Sequence, residues 1–371
     1  MKDEDYMKIA LELAHATSAQ TSPNPPVGSV VVKDGVIVGM GAHLEAGEAH
    51  AEVHALQMAG DKAIGATIYV TLEPCAHHGR TPPCAELIID KGIKRAVIAV
   101  TDPNEKVAGQ GINMLREANV QVDLGVLEKD AEELNAVFFH YTKTKTPFVT
   151  VKSAISLDGK TATVTGESKW ITGEEARLDV HHYRRTHDAI LVGINTVLTD
   201  NPSLTARIPN SGGNPVRIIL DTNLRTPLDA NVVTDNEAPT WIFVGKHVEE
   251  TKMEPFFKKP QVDVIQLEDE EIRINNVLEM LGEREITSLF VEGGAAINGS
   301  FLKNGQINQL LMYMAPKLIG GKLAPTSFTG EGIRQISDVL ELEIKEVEMI
   351  GEDIKFRAET RKEEKDVYRN N

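Results

Sequence analysis

Cysteine is almost absent from this chain: Cys75 and Cys84 are its only two, in 371 residues. Two thiols cannot make a disulfide framework, and a pair close in sequence suits a metal or catalysis better than a staple. Long apolar runs are missing as well. No stretch approaches the roughly 18 residues that a membrane span needs. The opening MKDEDYMKIALELAHA is acidic and amphipathic and lacks the three regions of a signal peptide. A cytoplasmic protein with no membrane partner is expected. Positive charge is short too, with 39 Lys and Arg against 55 Asp and Glu, a formal −16. That balance repels nucleic-acid backbones and anionic headgroups over most of the surface, so no nucleic-acid partner is expected. A zinc-stabilised RNA-binding module is disfavoured for want of a basic stripe.

What is present is ordinary globular material, 41% hydrophobic and 25% charged, in a chain longer than the roughly 250 to 300 residues one core supports. Two domains follow. Helical spacing from Asp5 to about Ala16 breaks at SPNPP, whose prolines forbid continuation. VGSVVV and VIVGMGAH, separated by KDG, read as a hairpin whose glycine permits the positive φ of the turn. Helix 49–59, strand ATIYVTLE, helix 84–91, strand AVIAV and helix 111–117 complete an αββαβαβα order, the pattern of a layered α/β domain. The polar run TKTKTP reads as a linker, which sets the domains at 1–146 and 147–371. Beyond it, FVTVKSAIS, AILVG, VRIILD, TWIFVG, VDVIQL, SLFVEGG and LLMYMAPKLIGG read as buried strands, with helices near 173–185 and 273–281. No internal repeat is visible, and the terminal RKEEKDVYRNN reads as frayed.

The chemistry-bearing set is His50-Ala51-Glu52, then Pro74-Cys75, then Cys84 after Pro82-Pro83. A catalytic zinc keeps three nitrogen or thiolate ligands and a fourth place for water, which it acidifies enough to yield hydroxide near neutral pH. His50, Cys75 and Cys84 supply the three, one Zn2+ per chain, and Glu52 is placed to accept and return the proton. Residues two apart do not share a helix face, so His50 and Glu52 converge only if His50 stands at or before the first turn. The competing reading is a structural zinc site with His54 as fourth ligand. It would leave Glu52 without a task.

The order His-x-Glu, Pro-Cys, Cys matches the zinc-deaminase signature, except that eight residues rather than two separate the cysteines, in PCAHHGRTPPC. With that spacing, and with SPNPPVGSVVV, GEAHAEVHA, SLDGK, SKWIT, VGINTVLTDNPSLTAR and VEGGAAING in order, nearly the whole chain resembles the bifunctional riboflavin-biosynthesis deaminase/reductases. The resemblance implies a cytidine-deaminase-like three-layer α/β/α domain followed by a dihydrofolate-reductase-like α/β domain. It implies deamination of 2,5-diamino-6-ribosylamino-4(3H)-pyrimidinone 5′-phosphate at C2, then NADPH-dependent reduction of the ribosyl group to ribityl. The product would be 5-amino-6-ribitylamino-uracil 5′-phosphate. Assembly into a homo-oligomer is expected.

Carried over by position, the first substrate pocket falls at Asn24, His43, His77 and Arg80. Asn24 would read a ring edge, while His43, His77 and Arg80 would hold phosphate or ribose with local positive charge. Asn24 between prolines could equally be a turn residue. In the second half the resemblance implies cofactor contacts at Ala154, Trp170, Thr196, Asp200 and the run Gly294, Ala295, Ala296, Ile297, Asn298, Gly299 and Ser300. Substrate contacts fall at Ser168, Arg184, Leu204, Arg207 and Glu292. Arg184 and Arg207 suit phosphate forks, or else are surface charge. Trp170 could instead fill a core. The Gly-Gly of VEGGAAING suits a phosphate at a helix start, or simply a tight turn. Lys152 is the candidate catalytic cation for reduction, and Lys152 and Asp158 are expected to face the reductase cleft. A second domain that has lost reduction and only completes an oligomer is the rival reading.

Overall fold

The computed structural model describes residues 1–76, 82–104, 108–208 and 213–361. The chain divides into two units, Met1–Thr146 and Pro147–Asn371. Among the described residues no helix is long and apolar enough to cross a membrane. Residues 362–371, where fraying is expected, lie outside the described residues.

In the first unit α1 (Asp3–Thr17) leads to the hairpin β1 (Gly28–Lys33) and β2 (Val36–Ala42), then α2 (Ala51–Ala59) and a short 3-10 turn. Next come β3 (Thr67–Leu72), α3 (Cys84–Asp90), β4 (Arg95–Val100), α4 (Gln110–Glu117), β5 (Gln121–Leu124), α5 (Glu128–Leu134) and α6 (Ala136–Thr144). The strand order is β2-β1-β3-β4-β5, antiparallel through β2-β1-β3 and parallel through β3-β4-β5. The hairpin turns on Asp34 and Gly35, both at positive φ (49° and 79°), the twist that two-residue turns require. Strand alternation sorts the core onto two faces. Val30, Val32, Val97 and Ala99 pack with Met7 and Ala10 of α1 and Ala131 of α5. Val31, Ile68, Val70 and Ile98 pack with Leu56 of α2, Ile88 of α3 and Leu115 of α4. The sheet is thus covered on both sides, the expected three layers.

Two departures from the sequence expectation concern the end of this unit. β5, α5 and α6 extend the alternating order beyond α4. The supposed linker is half helix: α6 runs through Thr144 and stops where Lys145 turns left-handed (φ 59°). Phe138 and Phe139 pack against the α1 side of the core and carry the polar Thr142-Lys143-Thr144 into the helix with them.

The second unit begins at β6 (Phe148–Ser156) and continues with α7 (Glu174–Thr186), β7 (Ala189–Gly193), α8 (Ile194–Asp200), β8 (Val216–Leu220) and α9 (Asn231–Thr234). Then follow β9 (Thr240–Val244), α10 (Glu250–Phe257), β10 (Val262–Gln266), α11 (Ile274–Glu283), β11 (Ser288–Val291), α12 (Ala295–Lys303) and β12 (Gln309–Ala315). A closing hairpin, β13 (Leu342–Ile350) and β14 (Asp353–Thr360), was not foreseen. The nine strands lie in the order β10-β9-β8-β7-β11-β6-β12-β14-β13. All neighbours from β10 to β12 are parallel, and β14 and β13 are antiparallel. α7, α8, α9 and α10 cover one face through Val180, Val197, Val232 and Phe256. α11 and α12 cover the other through Leu278, Leu281 and Phe301. Both faces of the parallel part are therefore buried, which is why those strands read as continuous apolar runs.

Candidate active site

In the first unit the site begins with two glycines. A Cβ on Gly39 would lie 2.0 Å from the carbonyl oxygen of Ala55, and one on Gly41 would lie 2.3 Å from that of Ala51. Their absence lets α2 rest directly on β2. At the start of that helix His50 is the N-cap residue in extended backbone (φ −73°, ψ 162°), so it stands just outside the first turn that carries Glu52. Residues two apart converge here for that reason. Cys84 opens α3, with Pro83 in the cap position and no N–H of its own to leave unsatisfied there. Cys75 sits in the segment after β3, where its Sγ accepts the N–H of Cys84 (3.2 Å).

Nδ1 of His50 lies 3.3 Å from Sγ of Cys84 and 3.6 Å from Sγ of Cys75, and all three donors fall within 4.8 Å of one another. Zinc at about 2.0 Å from nitrogen and 2.3 Å from sulfur, with tetrahedral angles, places such donors about 3.6 Å apart. The triad fits that ion. Hydrogen bonding from the Cys84 thiol, helped by His50, brings Cys75 down to about 4. The Cys84 thiol is raised by holding the shared proton and by burial. The two shifts run in opposite directions and favour a thiolate at Cys75, the form that a cation binds. Glu52 is 3% exposed, and burial pushes its carboxyl up to about 7, near the value at which a group both accepts and donates a proton at neutral pH.

A cleft of about 220 Å³ opens on this triad, lined by Asn24, His43, His50, Glu52, Cys75, Asp102 and Phe138 among others. Asn24 Nδ2 lies 3.1 Å from His43 Nε2, and His43 Nδ1 lies 3.2 Å from the carbonyl oxygen of Ala49. The carbonyl must accept, so Nδ1 carries the proton and Nε2 accepts from the amide. Burial lowers the His43 pKa as well, and the residue is 2% exposed. In this arrangement His43 is neutral and orients Asn24, and both line the cleft. His77 and Arg80 lie outside the described residues. Sequence reasoning missed Glu73, Asp102 and Phe138. Glu73 and Asp102 are ordinary acidic residues in sequence, and Phe138 reaches the cleft from α6, which the sequence left unassigned.

In the second unit Arg184 donates through Nε and Nη2 to the two oxygens of Glu292 (2.5 and 3.1 Å) and through Nη1 to the carbonyl of Thr205 (3.1 Å). Arg184 thus stands in a buried ion pair with Glu292, which sets two of the candidate substrate contacts side by side. Burial pushes the Lys152 ammonium down while Glu292 pulls it up and Arg184 opposes it. Lys152, Arg184 and Glu292 thus form one electrostatic group. Arg207 is exposed and lies against His181. Leu204 is buried in the core at positive φ (54°), so only its backbone is available to a ligand.

Trp170 is 62% exposed, which removes the core-filling alternative. Its ring lies beneath Arg177, and its carbonyl accepts from Lys317 Nζ (2.9 Å). The ion pair of Lys169 with Asp200 (3.0 Å) brings the exposed Ser168–Trp170 segment to the end of α8, which also carries Thr196. Asp158 accepts instead from Ser156 Oγ and from the N–H groups of Ile319 and Gly320, fastening a loop where a cleft residue was expected. α12 starts at Gly294, its N-cap, with open space where a side chain would stand. Further along, Asn298 is 2% exposed and donates to the carbonyl of Ser327. A Cβ on Gly299 would lie 1.7 Å from the carbonyl oxygen of Thr329. Gly294 to Ile297 make the helix opening, while Asn298 and Gly299 serve packing. Ala154 on β6 is partly buried against the core, and Ser300 Oγ bonds back to the carbonyl of Ala296.

A His-Cys-Cys triad with a buried glutamate on one unit, and a mixed-sheet second unit, place the chain among enzymes that join a deaminase to a reductase. The family model for the cytidine and deoxycytidylate deaminase zinc-binding region matches residues 1–100, and that for the RibD C-terminal domain matches 147–356. The riboflavin biosynthesis protein RibD of Bacillus amyloliquefaciens is 54% identical over 99% of this chain and 100% of its own. The solved Acinetobacter baumannii RibD (form 1) superposes with a TM-score of 0.86 at 38% identity, covering 97% of this chain and 99% of that one. A diaminohydroxyphosphoribosylaminopyrimidine deaminase/5-amino-6-(5-phosphoribosylamino)uracil reductase from Thermotoga maritima superposes with a TM-score of 0.86 at 37% identity, with the same coverage. The chain belongs to the RibD family of riboflavin biosynthesis proteins, bifunctional deaminase/reductases.

Proposed function

We propose that the first unit deaminates 2,5-diamino-6-ribosylamino-4(3H)-pyrimidinone 5′-phosphate at C2 and that the second reduces the ribosyl group of the product to ribityl with NADPH. The observation that supports the first step most directly is the tetrahedral spacing of His50, Cys75 and Cys84 beside the buried Glu52. These three residues would hold a zinc ion, which supplies Lewis acidity toward water. Glu52 takes a proton from the attacking water and delivers it to the ring nitrogen, then takes the proton of the new C2 hydroxyl and delivers it to the amine as the bond from C2 to that amine breaks. Its raised pKa suits both transfers. Asn24, oriented by the neutral His43, reads the polar edge of the pyrimidine. Loss of ammonia leaves a carbonyl at C2.

For the second step, the opening turn of α12 from Gly294 to Ile297 suits a cofactor phosphate, because its N–H groups lack helical partners and Gly294 leaves room for close approach. Trp170, Thr196 and Asp200 border the cofactor on the α8 side, and the exposed Arg207 and Ser168 face the substrate. NADPH would supply hydride to C1′ of the opened ribosylamine, and Lys152, with the Glu292 charge near it, would give the proton that the released sugar oxygen takes up. The protein's part is alignment and exclusion of water.

The test is to incubate the purified chain with the diaminopyrimidinone nucleotide, with and without NADPH, and identify the products by mass. Deaminated product without NADPH and the ribityl product with it are expected. Failure of NADPH oxidation with the deaminated intermediate would leave the second unit without a catalytic role. In the same assay Glu52→Gln should keep stoichiometric zinc and lose deamination, and Cys75→Ser should lose zinc. Deamination by the Glu52 variant would remove the proton-carrying role.

A further inference from the structure

α4 begins at Gly109, a cap position without a side chain that could satisfy its first N–H groups. The partner comes from elsewhere in the chain. Glu73, 7% exposed, accepts through Oε1 from the N–H groups of Gly111 (3.0 Å) and Ile112 (3.3 Å). Through Oε2 it accepts from those of Gly109 (3.0 Å) and Asp102 (3.2 Å). One buried carboxylate thus takes four backbone donors from the segment after β4 and the start of α4. Pro74 and Cys75 follow it directly in sequence. A Cβ on Gly111 would lie 2.0 Å from the carbonyl oxygen of Pro74, so the first turn of α4 is pressed against the same short segment. On its other side Cys75 is held by α3, whose Ala85 N–H donates to the Cys75 carbonyl (3.2 Å).

We infer that Glu73 is a positioning residue that fixes the Cys75 loop and the Asp102 wall of the cleft in one register, so that the thiolate and the substrate wall are set together. This rests on the metal site proposed above. The reason is chemical. A carboxylate offers acceptors on both oxygens, and each oxygen here meets two donors. Glutamine keeps the shape but replaces one oxygen with an NH2 group, which would point a donor at two N–H groups. Either the Asp102 segment or the start of α4 must then move; the first carries a cleft residue, and the second is pressed against Pro74, which lines the cleft. Residues that orient metal ligands commonly contribute 10- to 100-fold to metal affinity.

The test uses the full chain with Glu73→Gln and Glu73→Asp. Zinc affinity is measured by competition with a chelator, and ligand geometry is read from the visible bands of the cobalt-substituted protein. NADPH oxidation by the second unit monitors the rest of the chain. Glu73→Gln is expected to bind zinc roughly 10- to 100-fold more weakly with shifted cobalt bands and unchanged NADPH oxidation. Glu73→Asp, which keeps the charge but shortens the reach, should fall between. Zinc affinity and cobalt bands equal to those of the unsubstituted chain in Glu73→Gln would overturn the inference. If Glu73→Gln does not fold, Glu73→Asp decides: weakened zinc binding supports positioning, and unchanged binding refutes it. Absence of zinc binding by the unsubstituted chain would instead remove the metal reading itself.

Discussion

Replacing Glu292 with glutamine should destabilise the second unit more than replacing its partner Arg184, and the reason is a third charge. The two side chains are 12% and 14% exposed and joined at 2.5 Å, so their pairing is screened little by water. Breaking a buried pair from one side costs roughly 3 to 5 kcal/mol, because the surviving charge is left uncompensated. With Glu292→Gln the survivors are two cations, Arg184 and Lys152, whose charges already oppose each other. With Arg184→Met the survivors are Glu292 and Lys152, of opposite sign. The glutamate variant should therefore lie toward the upper part of that range and the arginine variant below it. At roughly 2 to 4 °C per kcal/mol for a unit of this size, the upper part of that range, about 4 to 5 kcal/mol, means that Glu292→Gln lowers the midpoint by about 8 to 20 °C.

The same pair predicts a pH signature. Burial alone would raise the Glu292 pKa, but the charge and hydrogen bonds of Arg184, with Lys152 and His181, hold it below the ordinary 4.5. A depressed carboxylate contributes stability that is complete above its unfolded pKa and is lost as pH falls through its folded value. The difference between the unsubstituted chain and Glu292→Gln should be constant near pH 7 and shrink below about pH 4.5. Thermal unfolding followed by near-UV circular dichroism from pH 3.5 to 7.5 measures it. A Glu292→Gln midpoint within 2 °C of the unsubstituted chain, an equal or larger effect from Arg184→Met, or a difference that ignores pH would each refute the reasoning.

Three further outcomes are expected. Zinc binding should expel the proton shared by Cys75 and Cys84 and any carried by His50, whose pKa Cys75 raises, so calorimetric heats in buffers of different ionisation enthalpy should report at least one proton released near pH 7. Affinity should also weaken as pH falls, and heats independent of buffer would contradict the shared-proton arrangement. Gly299→Ala places a Cβ where the Thr329 carbonyl stands, an overlap of backbone that no rotamer relieves. It should destabilise the second unit by roughly 1 to 3 kcal/mol in urea while leaving zinc binding intact. Trp170→Ala should raise the KM for NADPH, reduce the quenching of tryptophan fluorescence by the cofactor to what Trp241 contributes and leave deamination unchanged; an unaltered KM would remove Trp170 from the cofactor site.

The sequence spoke clearly where structure depends on neighbours in the chain. The hairpin at Asp34-Gly35, the apolar strands of the second unit and the helix starts at Pro83 and Gly173 all follow from turn residues and periodicity. β5 went unseen because it is a four-residue edge strand with both ends exposed. α5 is acidic and buries only Ala131, so its helical pattern is faint. β13 alternates charge with apolar residues at the sheet edge and leaves Ile344, Val347 and Met349 largely exposed. The candidate metal donors were legible because their residue types are rare and ordered. The Arg184–Glu292 pair was not legible because its members lie 108 residues apart, and a sequence shows a charge without its counter-charge.

The acidic excess carries a similar lesson. Read from composition, −16 describes a surface that repels other anions. Several of those carboxylates instead face inward and hold backbone. Glu73 takes four N–H groups. Oδ2 of Asp188 takes the N–H and hydroxyl of Thr287 and the N–H of Ser288. Oδ2 of Asp221 takes the N–H and hydroxyl of Thr226, and Asp353 takes the N–H of Gly173 at the start of α7. Each takes its donors where a strand or helix meets a loop, the places at which backbone donors run out of partners. Part of the negative charge is therefore a set of internal clasps that lock loops onto the sheets. Neutralising one of them should loosen the loop it holds while adding little to the attraction for nucleic acid.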